Sequence, residues 1–486
     1  MVKIFISAFL LAIASYYTNP VLNLIEASLA SLFLVWGIKN TKPDKDKTIL
    51  KLLLWGITFS VLAFYWIPDT LKFFGGFSTS LAYLLFALYC LLSSLQFVLC
   101  GILYRIFNKS FFLKKTLLVF PLAWAITEHF FPRFFPWSFI SLHITWSSFA
   151  VWSQYVPLAV LSFIFFWWIE VLVLILNKFV LGQSVLTIQG YKTYLTKEIN
   201  YPRILFIAAS SFLLLISVGH VQKELILKEI QEADKINVAL IQGNISATKE
   251  RDELLLATYQ RLTTQALQLG AELVFWPESA VNLWLPENLK QVDELQIDIQ
   301  ASNNIPLVFG GMTIREIPTR ILKFNTVIAL KSNGEVAGMY HKKILMPFGE
   351  YLPFEKTFPQ LRDFSPQTGE LDSGDLDEPI IIKVGKHEIS LAPLICYEDL
   401  IPNLSQAMQK RGANILVNFT NDVWYGDSFA PIQHNLLAMW RAVETRRFLL
   451  RSTNTGWTTV INPLGQVVKS LPTFEEGILI AEVAVL

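Results

Sequence analysis

The first 220 residues carry long apolar segments, and this feature limits what the chain can fold into more than any other. A segment of about 20 mostly apolar residues is long enough to cross ~30 Å of hydrocarbon as a helix. A helix satisfies its own backbone hydrogen bonds, which lipid cannot do for it. We therefore predict an all-α polytopic membrane bundle of about seven helices, near residues 4–18, 21–38, 49–67, 81–104, 116–131, 155–177 and 203–219.

The first and fifth of these segments are the shortest. We read the first as a retained helix rather than a cleaved signal, because a second apolar segment follows at once. Pro121 and Glu128 inside the fifth predict that it packs within the bundle rather than facing lipid. The loop that follows contains Phe135-Pro136-Trp137. It is either an interfacial belt of aromatic residues or a lid through which lipid enters.

Basic residues indicate the orientation of the bundle. Lysine and arginine are concentrated in loops 39–51, 105–115 and 178–203, while the alternate loops offer only Lys72 and Arg133. Cytoplasmic loops carry the excess of positive charge, so this alternation predicts a cytoplasmic N-terminus. With seven crossings the rest of the chain lies outside the cytoplasm. We therefore expect a bacterial inner-membrane protein with a domain on the periplasmic face.

Past residue 220 the composition becomes that of a soluble domain. The whole chain is 53% hydrophobic and 16% charged, whereas soluble proteins have roughly 25% charged residues. We predict a transmembrane helical domain over 1–220, a charged linker helix over 221–235 and a catalytic domain over 236–486. The net charge of +1, with no basic stripe, argues against nucleic acid as a partner.

The C-terminal half alternates short apolar runs with helical patterns. A strand, a helix and a strand with short connections predict a layered α/β domain. Later runs alternate more, which favours a mixed sheet or two packed sheets. We read Gly310-Gly311 as a turn, since there is no glycine-rich phosphate loop around it. The predicted strands cover 236–243, 271–276, 305–311, 325–330, 380–384, 391–395 and 415–419.

Three residues stand out for their chemistry. Glu278 follows the predicted strand that ends at Trp276, Lys342 lies in the connection after a turn at Asn333-Gly334, and Cys396 ends a strand of its own. Taken singly, each has an ordinary explanation. A free cysteine is most often a small buried hydrophobic residue, a glutamate after Trp-Pro can begin a helix, and a lysine beside Lys343 is usually solvated. Side chains at strand ends can nevertheless converge on one cleft, where a rigid scaffold presents them to a substrate.

Together the three residues predict covalent acyl chemistry. The thiolate of Cys396 can attack an acyl carbon and hold it as a thioester. The carboxylate of Glu278 can take the thiol proton and return it to a leaving group. The ammonium of Lys342 can lower the cost of the thiolate and stabilise a tetrahedral oxyanion. We expect Cys396 to react with maleimides well below the pKa of a free thiol, about 8.5.

At this combination the sequence resembles the nitrilase (carbon–nitrogen hydrolase) superfamily, and within it the apolipoprotein N-acyltransferase family. The resemblance covers essentially the whole chain. The motifs that carry it are Phe135-Pro136-Trp137, Trp276-Pro277-Glu278, Lys342 with Met346-Pro-Phe-Gly-Glu350, Cys396-Tyr397-Glu398, Thr420-Asn-Asp-Val-Trp-Tyr-Gly426, Arg441-Ala-Val-Glu444 and Arg451-Ser-Thr-Asn-Thr455.

The resemblance implies an αββα sandwich for the C-terminal domain and catalytic roles for Glu278, Lys342 and Cys396. It implies that Glu350 supports the lysine, and that Tyr397 and Glu398 form a mobile segment beside the nucleophile. It also suggests substrate contacts for four further residues: Pro136, Trp137, Asn421 and Trp424. The family usually ends in another membrane helix, but we expect residues 478–486 to form a final strand, because Glu482 interrupts a short apolar run.

The function that the resemblance implies is acyl transfer in two steps. A membrane phospholipid would donate an acyl chain to the cysteine, and a diacylated apolipoprotein would accept it at its N-terminal amine. The alternative is a membrane-tethered amidase of the same superfamily, which passes the acyl group to water. No cofactor is implied, and there is no His-x-x-x-His or Cys-x-x-Cys spacing that would indicate a metal site.

Overall fold

The structure, a computed structural model, divides into two compact units by its internal contacts. The helical unit comprises Met1–Pro68 and Tyr83–Lys223, and the α/β unit comprises Asp69–Ala82 and Glu224–Leu486. Much of the predicted basic loops, including 40–44, 114–115 and 178–200, lies outside the described residues. The structure describes residues 1–16, 19–39, 45–110, 112–113, 116–177, 201–245, 251–291, 305–365, 368–375 and 378–486.

Each predicted membrane segment coincides with a helix, so the all-α interpretation of the N-terminal region is confirmed. The helices up to residue 232 are α1 (Val2–Ala14), α2 (Pro20–Lys39), α3 (Lys45–Ala63), α4 (Ile67–Gly75), α5 (Thr79–Phe107), α6 (Val119–Phe130), α7 (Ser147–Ala150), α8 (Leu158–Ile175) and α9 (Tyr201–Glu232). The last of them continues without a break through residue 220, where we predicted the linker to begin.

Helix length separates these segments into two groups. Within the described residues, α2, α5, α8 and α9 are long and apolar enough to cross a membrane, and the pair α3–α4, bent by 52°, is a candidate fifth span. Helices α1 and α6 have 13 and 12 residues, or about 20 Å at 1.5 Å per residue. All seven predicted segments are helical. By length and composition alone, four or five of them qualify as spans within the described residues, because the first and fifth form shorter helices than their apolar runs.

The loop with the Phe-Pro-Trp motif is fixed by polar contacts inside the helical unit. Glu128 is buried, as predicted, and its Oε1 accepts hydrogen bonds from Ser138 Oγ and from the Phe139 backbone N–H, each at 2.7 Å. The guanidinium of Arg133 donates to the carbonyl oxygens of Glu128, at 2.6 Å, and of Trp137. These contacts of one carboxylate oxygen and one guanidinium tie the two ends of the loop together.

The α/β unit contains two sheets. One sheet has the order β13-β1-β2-β4-β5-β6 with β3 paired to β4, and the other has the order β12-β11-β10-β9-β8-β7. The strands are β1 (Lys235–Gln242), β2 (Leu273–Phe275), β3 (Val281–Pro286), β4 (Leu307–Ile317), β5 (Arg320–Leu330), β6 (Val336–His341), β7 (Ile380–Val384), β8 (His387–Ile395), β9 (Ile415–Thr420), β10 (Phe448–Thr453), β11 (Thr458–Ile461), β12 (Val467–Leu471) and β13 (Gly477–Ala484).

The two sheets pack face to face with helices outside, which is the predicted αββα sandwich. Phe275 and Phe419 meet between the sheets, with ring centroids 6.2 Å apart. Apolar residues of one helix cover the first sheet, and two helices pack on the second. The predicted final strand is confirmed as β13, antiparallel to β1. The remaining helices are α10 (Arg251–Gln268), α11 (Leu361–Phe364), α12 (Pro402–Lys410) and α13 (Ala430–Thr445).

Strand direction brings the active side chains to common edges. Strands β8, β9 and β10 are parallel and in register, so the residues after them, Cys396, Asn421 and Asn454, share one sheet edge. In the other sheet β2 is parallel to β4, and β6 runs the same way because two antiparallel pairings separate it from β4. Glu278 and Lys342, which follow β2 and β6, therefore share an edge as well.

Candidate active site

Cys396 stands at a sharp turn between a strand and a 3-10 helix. The buried strand β8 ends at Ile395, and the helix Cys396–Leu400 begins at once; we call this helix the nucleophile turn. The backbone of Cys396 has φ +48°, in the left-handed region where a residue with a side chain is strained. Its carbonyl oxygen accepts a hydrogen bond from Asn418 Nδ2 at 3.0 Å, and this contact supports the turn.

Glu278 and Lys342 are brought together in a buried pair. Their side chains are 8% and 1% exposed, with 4.0 Å between Lys342 Nζ and Glu278 Oε1. The strand β4 approaches Glu278 closely, since a Cβ atom on Gly310 would lie 2.6 Å from the Glu278 Cα atom. Our prediction that Gly310-Gly311 forms a turn is therefore wrong. Both glycines lie inside β4, where a missing side chain makes room for the backbone of Glu278.

One side-chain donor and one backbone donor hold the carboxylate of Glu278. Its Oε1 accepts from Asn325 Nδ2 at 2.8 Å, and its Oε2 accepts from the Asn421 backbone N–H at 3.0 Å. Asn325 also donates to Glu350 Oε1 at 3.0 Å. The sequence did not single out Asn325, because it is one of several polar residues in its strand, and only the sheet places it between the two carboxylates.

Glu350 is the direct ion-pair partner of Lys342. Its Oε2 lies 2.8 Å from Lys342 Nζ and also accepts from the Met346 backbone N–H at 2.8 Å. The carboxylate thus binds the lysine and closes the local turn at the same time. The predicted role of Glu350 as the group that assists the lysine needs this proximity, and the role itself stays a prediction.

Glu398 connects the nucleophile turn to the chain that follows Lys342. Its Oε1 accepts from Tyr340 Oη at 2.9 Å and from the backbone N–H groups of Lys343 and Ile344 at 2.7 and 3.0 Å. Its Oε2 accepts from Ile395 N–H at 2.8 Å, and the residue is fully buried. Four donors thus converge on one buried carboxylate in this structure. The expected mobility of this segment stays a prediction. Tyr397, next to Glu398, is half-buried.

The charges of the site keep Cys396 protonated in the absence of substrate. Burial and the carboxylate of Glu278 raise the pKa of the thiol, Lys342 lowers it, and Asp422 and Glu350 raise it again. The net direction is upward, because burial and the three carboxylates together outweigh one ammonium. Our expectation of a thiol that reacts well below its ordinary pKa is therefore not supported.

The pKa directions of the other two groups suit a proton acceptor and a fixed cation. Burial raises the pKa of Glu278, Lys342 lowers it, and Glu350 raises it, with a net increase. A carboxylate with a raised pKa accepts a proton more readily. Burial alone would lower the pKa of Lys342, but Glu350, Cys396 and Glu278 raise it above its ordinary value. The lysine therefore stays charged.

The residues that we predicted to bind substrate fall into both units. Asn421 follows β9, and its Oδ1 accepts from Asn454 Nδ2 at 2.9 Å. Trp424 is half-buried in the 3-10 helix Asp422–Tyr425. In the helical unit Pro136 is half-buried, and the Trp137 ring packs on Phe59 with centroids 4.6 Å apart. Substrate contact by these four residues stays a prediction.

A buried charge network lies behind the nucleophile turn. His434 on α13 places Nε2 2.8 Å from Asp399 Oδ1 and Nδ1 3.3 Å from Asp422 Oδ1. Arg451 on β10 pairs with Asp399 through Nη1 and lies 3.7 Å from Asp422 through Nη2. The helix that carries His434 begins at Ala430. In the sequence, the one sign of the other members of this network is an arginine, Arg451, within the apolar run that forms β10.

Two family models match the chain. The model described as carbon-nitrogen hydrolase matches residues 237–485, which is half of the sequence. The model described as apolipoprotein N-acyltransferase N-terminal domain matches residues 7–172. The first match contains Glu278, Lys342 and Cys396, and the second contains Pro136 and Trp137.

Curated relatives agree with these matches. A protein of Geobacter metallireducens named apolipoprotein N-acyltransferase is 33% identical over 56% of this chain and 52% of its own length. One of the same name from Pseudomonas syringae pv. tomato is 32% identical over 51% of this chain and 48% of its own length. The chain thus spans about half the length of the curated relatives it matches. An amidase of the nitrilase superfamily from Nesterenkonia is 22% identical, with a TM-score of 0.39 over 52% of this chain and 93% of that one.

Proposed function

The chain belongs to the carbon-nitrogen hydrolase family, and on this premise we propose that Glu278, Lys342 and Cys396 form the catalytic set of an acyltransferase. The observation that carries the proposal is the buried Glu278–Lys342 pair, 4.0 Å apart, together with a strained cysteine at the end of a buried strand. A base, a fixed cation and a nucleophile in one charged cluster are what thioester chemistry requires.

The first half-reaction forms the thioester. Glu278 takes the proton of the Cys396 thiol as the sulfur attacks the carbonyl carbon of an ester. Lys342 stabilises the oxyanion of the tetrahedral intermediate. The carbon–oxygen bond then breaks, and Glu278 returns the proton to the departing alcohol. Because the resting thiol is protonated, transfer of its proton accompanies attack rather than preceding it.

The second half-reaction transfers the acyl chain to an amine. A free amine attacks the thioester carbon, its proton passes to Glu278, and the carbon–sulfur bond breaks to leave the thiolate. Glu278 then returns the proton to the sulfur. The site is thereby ready for another cycle, and no group outside the chain and its two substrates is consumed.

We assign the donor as a membrane phospholipid and the acceptor as a diacylated apolipoprotein with a free N-terminal amine. The match of residues 7–172 to an apolipoprotein N-acyltransferase domain supports this assignment, as do the names of the relatives. Helices long and apolar enough to cross a bilayer fit a reaction between two lipids. An acyl chain moved through water would cost about 0.8 kcal/mol per CH₂, so delivery from the membrane avoids a large penalty.

The same assignment gives the arrangement in the cell. We propose an inner-membrane protein with a transmembrane region over 1–220, a linker over 221–235 and a catalytic domain over 236–486 on the periplasmic face. The basic loops of the helical unit carry this orientation. The catalytic domain would then meet lipoproteins after they have been exported.

A transfer assay tests the proposal. Full-length protein in mixed micelles receives a phospholipid with a labelled sn-1 chain and a peptide that begins with diacylglyceryl-cysteine. We expect the label on the peptide amine, and none with a peptide whose amine is already acetylated. Hydrolysis of soluble amides with the phospholipid left intact would instead identify a membrane-tethered amidase.

A further inference from the structure

The two nitrogens of His434 both face carboxylates inside the α/β unit. Asp399 approaches Nε2 at 2.8 Å and Asp422 approaches Nδ1 at 3.3 Å. An ionised carboxylate only accepts hydrogen bonds, so both ring nitrogens must carry a hydrogen. The geometry therefore requires an imidazolium. The histidine and Asp399 side chains are 4% and 0% exposed, so water contributes little to balancing this charge.

Two cations and two anions alternate in this network. Arg451 is the second cation, paired with Asp399 and 3.7 Å from Asp422. Loss of the His434 proton would leave a net negative charge in a buried site, which is costly without a partner. Of the other groups nearby, the Tyr425 ring centroid lies 6.3 Å from that of His434.

The network is attached to the nucleophile turn. Asp399 is the fourth residue of that turn, three positions after Cys396. Helix α13 makes a second contact with the nucleophile turn, because Arg441 Nη1 donates a hydrogen bond to the Leu400 carbonyl oxygen at 3.1 Å. The ion pairs of Asp399 and the hydrogen bond from Arg441 therefore stabilise the turn in which Cys396 has its strained φ, and these contacts depend on charge. Asp422 adds a direct effect, because its carboxylate raises the pKa of the Cys396 thiol.

We propose that His434 is a positioning residue whose positive charge, shared between Asp399 and Asp422, keeps Cys396 in its reactive conformation and limits the negative charge around its sulfur. This goes beyond the proposed acyl transfer, since it concerns the reactivity of the thiol itself. The carboxylates raise the pKa of His434 to about 9, against the opposing effect of burial. The reactivity of Cys396 should therefore change its pH dependence near pH 9.

Alkylation with iodoacetamide tests this inference without any acyl donor. Full-length protein in detergent is treated between pH 7 and 10.5, and Cys396 is followed by peptide mass spectrometry. The logarithm of the alkylation rate of wild-type Cys396 should rise with pH and then bend downward near pH 9. At pH 10.5 the rate should be about tenfold below the line extrapolated from lower pH. His434→Gln should react about tenfold more slowly at pH 8 and show no bend.

His387→Gln is the matched control. His387 also faces a carboxylate, Asp234 Oδ2 at 3.5 Å, but it begins β8, about 30 Å along the strand from Cys396. This variant should keep the bend. Any of three results overturns the proposal. The bend could persist in His434→Gln, it could be lost in His387→Gln, or His434→Gln could be slower than wild type by the same factor at every pH.

A second variant covers the case in which His434→Gln does not fold. Asp422→Asn removes one carboxylate from the histidine and should move the bend to lower pH; an unmoved bend contradicts the proposal. The readout also separates the positioning role of His434 from the proposed acyl transfer. If the alkylation profile bends as expected but phospholipid does not acylate Cys396, the positioning role stands and the proposed function fails. If acyl transfer occurs but the wild-type profile shows no bend, the proposed function stands and the positioning role fails.

Discussion

Lys342 and Glu350 form a direct ion pair, with 2.8 Å between Nζ and Oε2 and with the lysine side chain 1% exposed. The carboxylate of Glu278 lies farther from the same nitrogen, at 4.0 Å. The two glutamates are therefore unequal. Glu350 balances the charge of the lysine, which leaves Glu278 available to exchange protons with the nucleophile and with substrate.

Replacing Glu350 by glutamine should reduce the rate of thioester formation by about a hundredfold. The amide can keep a hydrogen bond but not the charge, and a buried ion that loses its partner costs about 3–5 kcal/mol. Single-turnover acylation measures the effect. Glu355→Gln is the control, because Glu355 pairs with Arg362 at a more exposed position; equal losses in the two variants would contradict the special role of Glu350.

Replacing Lys342 by methionine should slow maleimide labelling of Cys396 by at least about tenfold at pH 8. Lys342 is a group that lowers the pKa of the thiol against burial and the carboxylates, and one unit of pKa corresponds to about tenfold in thiolate at that pH. Labelling of Cys396 in denatured samples of both proteins, where the lysine no longer faces the thiol, serves as the reference. An unchanged rate of Cys396 labelling would show that Lys342 does not stabilise the thiolate by ion pairing.

Gly310→Ala should destabilise the protein by about 1–3 kcal/mol, the usual cost of overpacking, and should also lower the acylation rate. The new Cβ atom would lie 2.6 Å from Glu278 Cα and 2.7 Å from the Pro277 carbonyl oxygen, and both are backbone atoms that cannot rotate away. In Gly311→Ala the nearest atom is 3.3 Å away. Thermal unfolding of the pair should show the larger loss at Gly310, and the reverse order would exclude this explanation.

The stabilisation that His434 provides should depend on pH with a definite sign. Its pKa is raised from 6.5 to about 9 in the fold, so its contribution is complete below about 6.5 and disappears as the pH rises through 9. The shift corresponds to about 3 kcal/mol. The melting temperatures of wild type and His434→Gln should therefore differ most at low pH and converge towards pH 10. A constant difference would indicate that the charge contributes nothing.

The sequence allowed much of the sandwich to be predicted, because several of its strands are short runs rich in apolar residues, some continuous and some alternating. The segment 380–384 coincides with β7, and Cys396 directly follows β8 as expected. Glu278 and Lys342 could be proposed from their positions after strands. Their proximity follows from strand direction, which short apolar runs do not reveal.

Other features depend on contacts between residues far apart in the chain. Asn325 bridges Glu278 and Glu350 only through the pairing of strands, and no local pattern marks it. Gly310 resembles a turn residue in the sequence, yet it permits a close backbone approach within a strand. The net direction of the pKa of Cys396 could not be obtained from three residues alone, because Asp422 and Glu350 also contribute.

The intact mass of the protein after incubation with phospholipid alone tests the central claim most directly. We predict that wild type gains the mass of one acyl chain, that peptide mapping places it on Cys396, and that hydroxylamine removes it as it removes a thioester. Cys396→Ser should gain no such hydroxylamine-labile thioester. An enzyme that N-acylates a diacylated peptide while Cys396 stays unmodified and replaceable would contradict the account.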